Sequence, residues 1–92
     1  MSETVIHRHE IPGPGGFELA LPLGTRILSC GSKFEKPMLW TAEPIEDIVL
    51  KPKRFILTET GGVYEALDHY EFIGTIHVHC DTEIYHLFMS IH

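Results

Sequence analysis

The chain has 92 residues, 43% of them hydrophobic and 22% charged, and its net charge is −6 with neutral histidines. That length makes one domain, which hides roughly 60–65% of the surface its unfolded form exposes, so the stability margin is thin. No apolar run approaches the roughly 20 residues that span a bilayer. The scattered basic residues, with one small group at Lys51, Lys53 and Arg54, argue against a general nucleic-acid binder.

In chain order, residues 4–11 (TVIHRHEI) alternate polar and apolar, the period-two mark of a half-buried strand. Two prolines and three glycines at 12–16 force a turn. Phe17, Leu19 and Leu21 then fall on one side of a strand over 17–21, and Pro22-Leu23-Gly24 turns the chain again, with Gly24 free to take a positive φ. A strand is expected over 25–32, a turn over 34–37 and a strand over 38–43. Pro44 and Pro52 bound a stretch read as a loop with room for one short helix at Ile45, Ile48 and Val49. The β-branched and aromatic run over 54–60 is a strand, broken by Gly61-Gly62, and VYEAL at 63–67 suits either a short helix or a loop.

Residues 69–92 read as a hairpin about Asp81-Thr82. Tyr70, Phe72, Ile76, Val78 and Cys80 fall on its apolar side, and His69, Glu71, Thr75, His77 and His79 on the other. The whole is an all-β domain of about seven strands, a small antiparallel sandwich or barrel with at most one short helix. Parallel pairing needs crossover helices that this sequence does not supply.

Five of the seven histidines lie in the hairpin. His77 and His79, two apart on a strand, point the same way about 6.5–7 Å apart. A two-residue turn at Asp81-Thr82 would pair His77 with His86 and make a triangle of His77, His79 and His86, the ligand set of a catalytic zinc site. A three-residue loop would shift the register and break it. The sparer reading is a solvated face, so no cofactor is expected, with zinc as the alternative. A cluster of imidazoles near their ordinary pKa would repel itself in mild acid and loosen the hairpin or an oligomer built on it.

Trp40 could stack on a ligand base, although such a side chain is more often core. Arg26, Arg54 and the Thr60-Gly61-Gly62 loop complete a candidate ligand-binding set. Cys30 and Cys80 each sit on an apolar side, where cysteine behaves as a small buried hydrophobe. The start, MSETVIHRHE, lacks the apolar core of an export signal, so reduced thiols and a cytoplasmic location are expected. No residue set for catalysis stands out.

Several segments, in order, resemble a small all-β family spread through tailed phages and prophages. They are Glu10-Ile11-Pro12, Leu21-Pro22-Leu23-Gly24-Thr25-Arg26-Ile27-Leu28, Leu39-Trp40, Phe72-Ile73-Gly74-Thr75 and Tyr85-His86-Leu87-Phe88. The family often carries Gly-Thr-Gly-His-Pro after its fifth strand; here the stretch is Thr58-Glu59-Thr60-Gly61-Gly62-Val63. The resemblance implies a phage-borne accessory protein of the host cytoplasm. It would bind and inhibit a host defence component, in the manner of an anti-CRISPR protein. Two alternatives stand beside it: an oligomeric protein that sequesters a small nucleotide ligand, and a His-ligated, cupin-like metal protein. His77-x-His79-x-x-x-Glu83 carries the cupin likeness, but Glu71 stands where cupins place a glycine. The expected partners are a host protein or a small nucleotide, with no membrane. A homo-oligomer is expected too, because the edges of so small a sheet need covering.

Overall fold

Each alternating run becomes a strand. The computed structural model describes residues 3–46 and 49–92. Its elements are β1 (Thr4–Glu10), β2 (Gly15–Pro22), β3 (Arg26–Lys33), β4 (Lys36–Pro44), β5 (Leu50–Glu59), β6 (Tyr70–Val78) and β7 (Glu83–Ser90), with a 3-10 turn at Leu67–His69. All pairings are antiparallel. They build a three-stranded sheet in the order β1-β4-β3 and a four-stranded sheet in the order β2-β5-β7-β6. The two sheets form a sandwich, as the alternation requires. No helix among the described residues is long and apolar enough to cross a membrane.

The core lies between the sheets. Leu39 from the first sheet meets Leu21, Phe55, Leu57, Ile76, Val78 and Leu87 from the second, with Ile11 from the β1–β2 turn closing one side. Val78 and Ile76 are buried and His77 is exposed, so alternation holds over the last residues of β6. The molecule is flat, 45 × 30 × 16 Å. Its radius of gyration of 13.7 Å exceeds the about 12 Å expected of a compact chain this long. Much of each outer face is therefore left to solvent or to a partner.

Three local readings are corrected or decided. β5 starts at Leu50, not at residue 54, and carries Pro52. The proline is tolerated because β7 joins only from Phe55, so residues 50–54 pair with β2 alone and have one open edge. The stretch 63–67, which suited either a short helix or a loop, is loop and turn leading into the 3-10 turn at Leu67–His69. A helix over 45–49 falls partly outside the described residues, and Ile45 and Glu46 form a bend.

The third correction is in β6. A bulge between Phe72 and Gly74 makes two residues face one on β7. It turns Phe72 outward with Thr75 and His77, away from Ile76 and Val78, where unbroken alternation would place it. The same bulge brings Gly74 against the other sheet: a Cβ there would lie 2.7 Å from Cys30 Sγ. Gly74→Ala is thus expected to cost about 1–3 kcal/mol through overpacking. Because the obstacle is one thiol, Cys30→Ala should recover most of that cost, and a double-mutant cycle by urea unfolding measures it. Additive effects would mean the sheets do not meet at this point.

Candidate functional site

Three places on the sandwich hold polar or aromatic side chains where the architecture does not call for them. The first is a buried polar knot on the three-stranded sheet. His9 pairs with Leu39, and His7 with Thr41, so their side chains share the inward face with Glu43. Thr41 is fully buried and donates its hydroxyl hydrogen to Glu43 Oε2 at 2.5 Å. His9 Nε2 donates to the same oxygen at 2.7 Å and lies 3.2 Å from Thr41 Oγ1. His7 Nε2 stands 4.0 Å from Glu43 Oε1. Burial alone would raise the Glu43 carboxyl, but the hydrogen bonds from Thr41 and His9 and the nearby His7 and His9 outweigh it, and the net shift is downward. The threonine is sealed from any substrate, so the knot ties β1 to β4 and is not a nucleophile.

The second place is an open groove of about 940 Å³ at the end of the sandwich where β3, β5 and β6 begin. Arg26, Lys51 and Lys53 line it with apolar walls from Ile27, Ile73 and Met89. Lys51 pairs with Leu21 and Lys53 with Leu19, so both lysines stand on the inward face of their sheet.

The third is the outer face of the four-stranded sheet. Phe88 lies beside Ile56 on β5 and Phe72 on β6, and Ile84 and His86 follow along β7. Phe72 is 57% exposed and meets Phe88 edge-on at 5.6 Å.

The predicted sites fare unevenly. The turn of the last hairpin is His79–Thr82, four residues rather than two, with His79, Cys80 and Asp81 all at positive φ. His77 thus pairs with Ile84, and His86 with Thr75, whose hydroxyl lies 2.9 Å from His86 Nδ1. His79 leaves the strand face for the turn, near Glu35 at 3.8 Å and Glu83 at 3.9 Å. The triangle of His77, His79 and His86 does not form, and among the described residues no three histidine, cysteine or carboxylate side chains are grouped to hold a metal ion. His77 stands 3.2 Å from Asp81, His9 beside Glu43 and His69 near Asp68. Two pairs of imidazoles also stand close, His7 and His9 at 6.2 Å and His69 and His92 at 5.8 Å between ring centres. Cys80 is exposed in the turn rather than buried, whereas Cys30 is half-buried and burial pushes its thiol up.

The proposed ligand set is dispersed. Arg26 lines the groove. Arg54 lies on the outer face, bonded to Glu18 at 2.8 Å. Trp40 is half-buried on the outer face of the three-stranded sheet, beside Arg8 and packed on Gly31. The Thr60-Gly61-Gly62 loop lies at the opposite end from the groove. Gly61 takes φ 88° there, and Tyr64 accepts the Glu59 amide hydrogen at 2.9 Å. Sequence reading missed Lys51 and Lys53 as site residues, because residues 50–53 read as loop and their facing pattern was hidden.

The molecule is thus a seven-stranded antiparallel β-sandwich with one cationic groove and one apolar outer face. The chain belongs to the family described as a domain of unknown function, DUF7352, whose model matches residues 2–92. No curated protein and no solved structure matches it.

Proposed function

We propose that the protein is a non-catalytic binder that recognises and blocks a component of a host defence system, with the outer face of the four-stranded sheet as its contact surface. The observation that carries this reading is that face. A sandwich ordinarily turns polar side chains outward, yet Ile56, Phe72, Ile84 and Phe88 are gathered here across three neighbouring strands. Grouped aromatic and aliphatic side chains rimmed by charge are the composition of a recognition surface. Charge borders it: Glu59 and Glu83 line a cleft beside Ile84 at one end, with Asp81 in the adjoining turn, and the Glu18–Arg54 pair lies beside Ile56. The acidic end suits a basic target of the kind that handles nucleic acid. The resemblance to phage accessory proteins supplies the direction toward host defence.

The test is expression of the chain in a host carrying a nucleic-acid-targeting defence, scored by phage plating. The wild type is expected to restore plating and to retain a defence protein on an affinity column. Phe72→Glu with Ile84→Lys, checked for an unchanged circular dichroism spectrum, should lose both. Plating that the wild type leaves unchanged, or that the double variant restores equally well, removes the reading.

A further inference from the structure

We propose that the outer face of the three-stranded sheet binds single-stranded nucleic acid, at a surface separate from that of the four-stranded sheet. The first observation is the sign of its charge. Leu39, Thr41 and Glu43 face the core, so the register turns Arg8 outward beside Trp40, Arg26 beside Ala42 and Lys33 beside Lys36. The chain carries 7 basic and 13 acidic residues. Four of the basic ones share this face, against one carboxylate among the described residues, Glu10. Glu10 lies 3.7 Å from Lys36; Arg8, Arg26 and Lys33 have no carboxylate partner among the described residues. These cations are scattered in sequence, and only the pairing of β1, β4 and β3 gathers them. From Arg26 to Lys33 they mark a track about 23 Å long, on which a strand of phosphates meets a cation at either end and in the middle. Screening over about 8–10 Å at ordinary salt shields that track from much of the acidic remainder.

The second observation is a pair of rings among the cations. Trp40, the chain's one tryptophan, lies half-buried midway along the central strand. It packs on Gly31, where a Cβ would lie 3.5 Å from its Cζ3, and its partner in β3 is Ser29. No large side chain of β3 therefore stands over it. Phe34, at the tip of the β3–β4 hairpin, is 72% exposed. Arg8 Cζ lies 5.4 Å and Lys33 Nζ 5.6 Å from its ring centre, and the contact with Arg8 puts the ring on this face. Rings interleaved with cations are the surface on which single strands stack, because every base has a π-face.

The third is the backbone that carries Phe34. Phe34 and Glu35 make the turn between β3 and β4, and both are left-handed, at φ 55° and 59°. Such a turn is ordinarily Asn-Gly, and a bulky side chain in it is an outlier. Packing does not explain the outlier, since the ring is mostly in solvent. A ligand stacked on that ring does.

A rival account is edge protection, since β1 and β3 are both edge strands and charge there discourages strand addition. It accounts for charge at Arg8, Arg26 and Lys33. It does not account for their common sign in an acidic chain, for Lys36 and Trp40 on the central strand, or for Phe34.

Trp40 makes the test direct, because the emission of a single tryptophan reports on this face alone. The full chain is titrated with single-stranded DNA and RNA of about 12 nucleotides, the matching DNA duplex and poly-glutamate, from about 0.05 to about 0.2 M salt. At least one single strand is expected to quench Trp40 and to bind at least about tenfold tighter than the duplex and poly-glutamate. The logarithm of its affinity should fall with the logarithm of salt at a slope of about −2 to −3, as about three or four phosphate contacts require. Arg8→Gln with Lys33→Gln should weaken binding at least about tenfold and flatten that slope by about 1.4, and Phe34→Ala should weaken it about fivefold. Lys51→Gln with Lys53→Gln removes the same charge from the other sheet and should leave binding unchanged. No binding by either single strand overturns the proposal. So does poly-glutamate or duplex binding as tightly, or an equal loss in the two double variants. Light scattering covers a second copy as occupant: chains that associate until Arg8 and Lys33 are substituted, with no strand bound, would make this an interface between copies and overturn the proposal. Phe72→Glu with Ile84→Lys should bind single strands as the wild type does, so failure of the host-defence reading leaves this result intact.

Discussion

Phe55→Ala is expected to lower stability by about 3–5 kcal/mol, the usual cost of removing a fully buried aromatic ring. Phe55 has no solvent exposure, and its ring stacks on Phe17 at 5.2 Å with 12° between the planes. It pairs with Phe17 on β2 and with Met89 on β7, so the ring stands where three strands share one layer of core. A domain of this size holds a total of about 5–15 kcal/mol, so the loss leaves little in reserve. The urea midpoint should fall steeply, and at 37 °C much of the protein should be unfolded. Phe34→Ala is the control: that ring is 72% exposed, and its removal should change stability by less than about 0.5 kcal/mol. Equal effects of the two substitutions would show that the core is not between these sheets.

Glu43→Ala should show a second large effect, with a distinctive dependence on pH. At neutral pH the substitution removes the acceptor of the Thr41 hydroxyl, which has no exposure, and an orphaned buried donor costs about 1–3 kcal/mol. Adding Thr41→Val removes the orphan and should recover part of that cost. The carboxyl of Glu43 is held below its ordinary value of 4.5 in the folded state. Between the folded and unfolded values the unfolded chain binds more protons, so stability rises with pH across that window. The contribution is complete above about 4.5 and disappears as pH falls through the folded value. Melting curves of wild type and Glu43→Ala should therefore converge as pH drops below 4.5. A constant gap down to pH 3 would show that the carboxylate makes no net favourable interaction in the native state.

Much of the architecture was legible because strands obey a period of two. Phe17, Leu19 and Leu21 announced their own face, as did Ile76 and Val78. Alternation cannot reveal the places where it is broken. The bulge in β6 flips Phe72 outward, and nothing in Phe72-Ile73-Gly74 announces it except the glycine that permits close approach to Cys30. The hairpin register failed for a related reason. His79, Cys80 and Asp81 adopt left-handed backbone without any glycine, a conformation that residue preferences disfavour, so the pattern favoured a shorter turn and brought His77 opposite His86. The groove was hidden by Pro52, which reads as a breaker although a strand with one open edge accepts it. The His9–Glu43 knot spans 34 positions of sequence, and no local pattern links its members.

The order in which strands join has a consequence for how the chain acquires its shape. Only β3–β4 and β6–β7 are neighbours both in sequence and in a sheet. His7 must wait for Thr41, and Phe17 for Phe55, before either early strand has a partner. Emerging from a ribosome, the first quarter of the polypeptide is a pair of solitary ribbons with apolar stripes, and assembly can begin only around the later hairpins. Loop closure over such distances is slow. In a synthesis run at high yield, those early ribbons are the segments most exposed to pairing with the wrong chain.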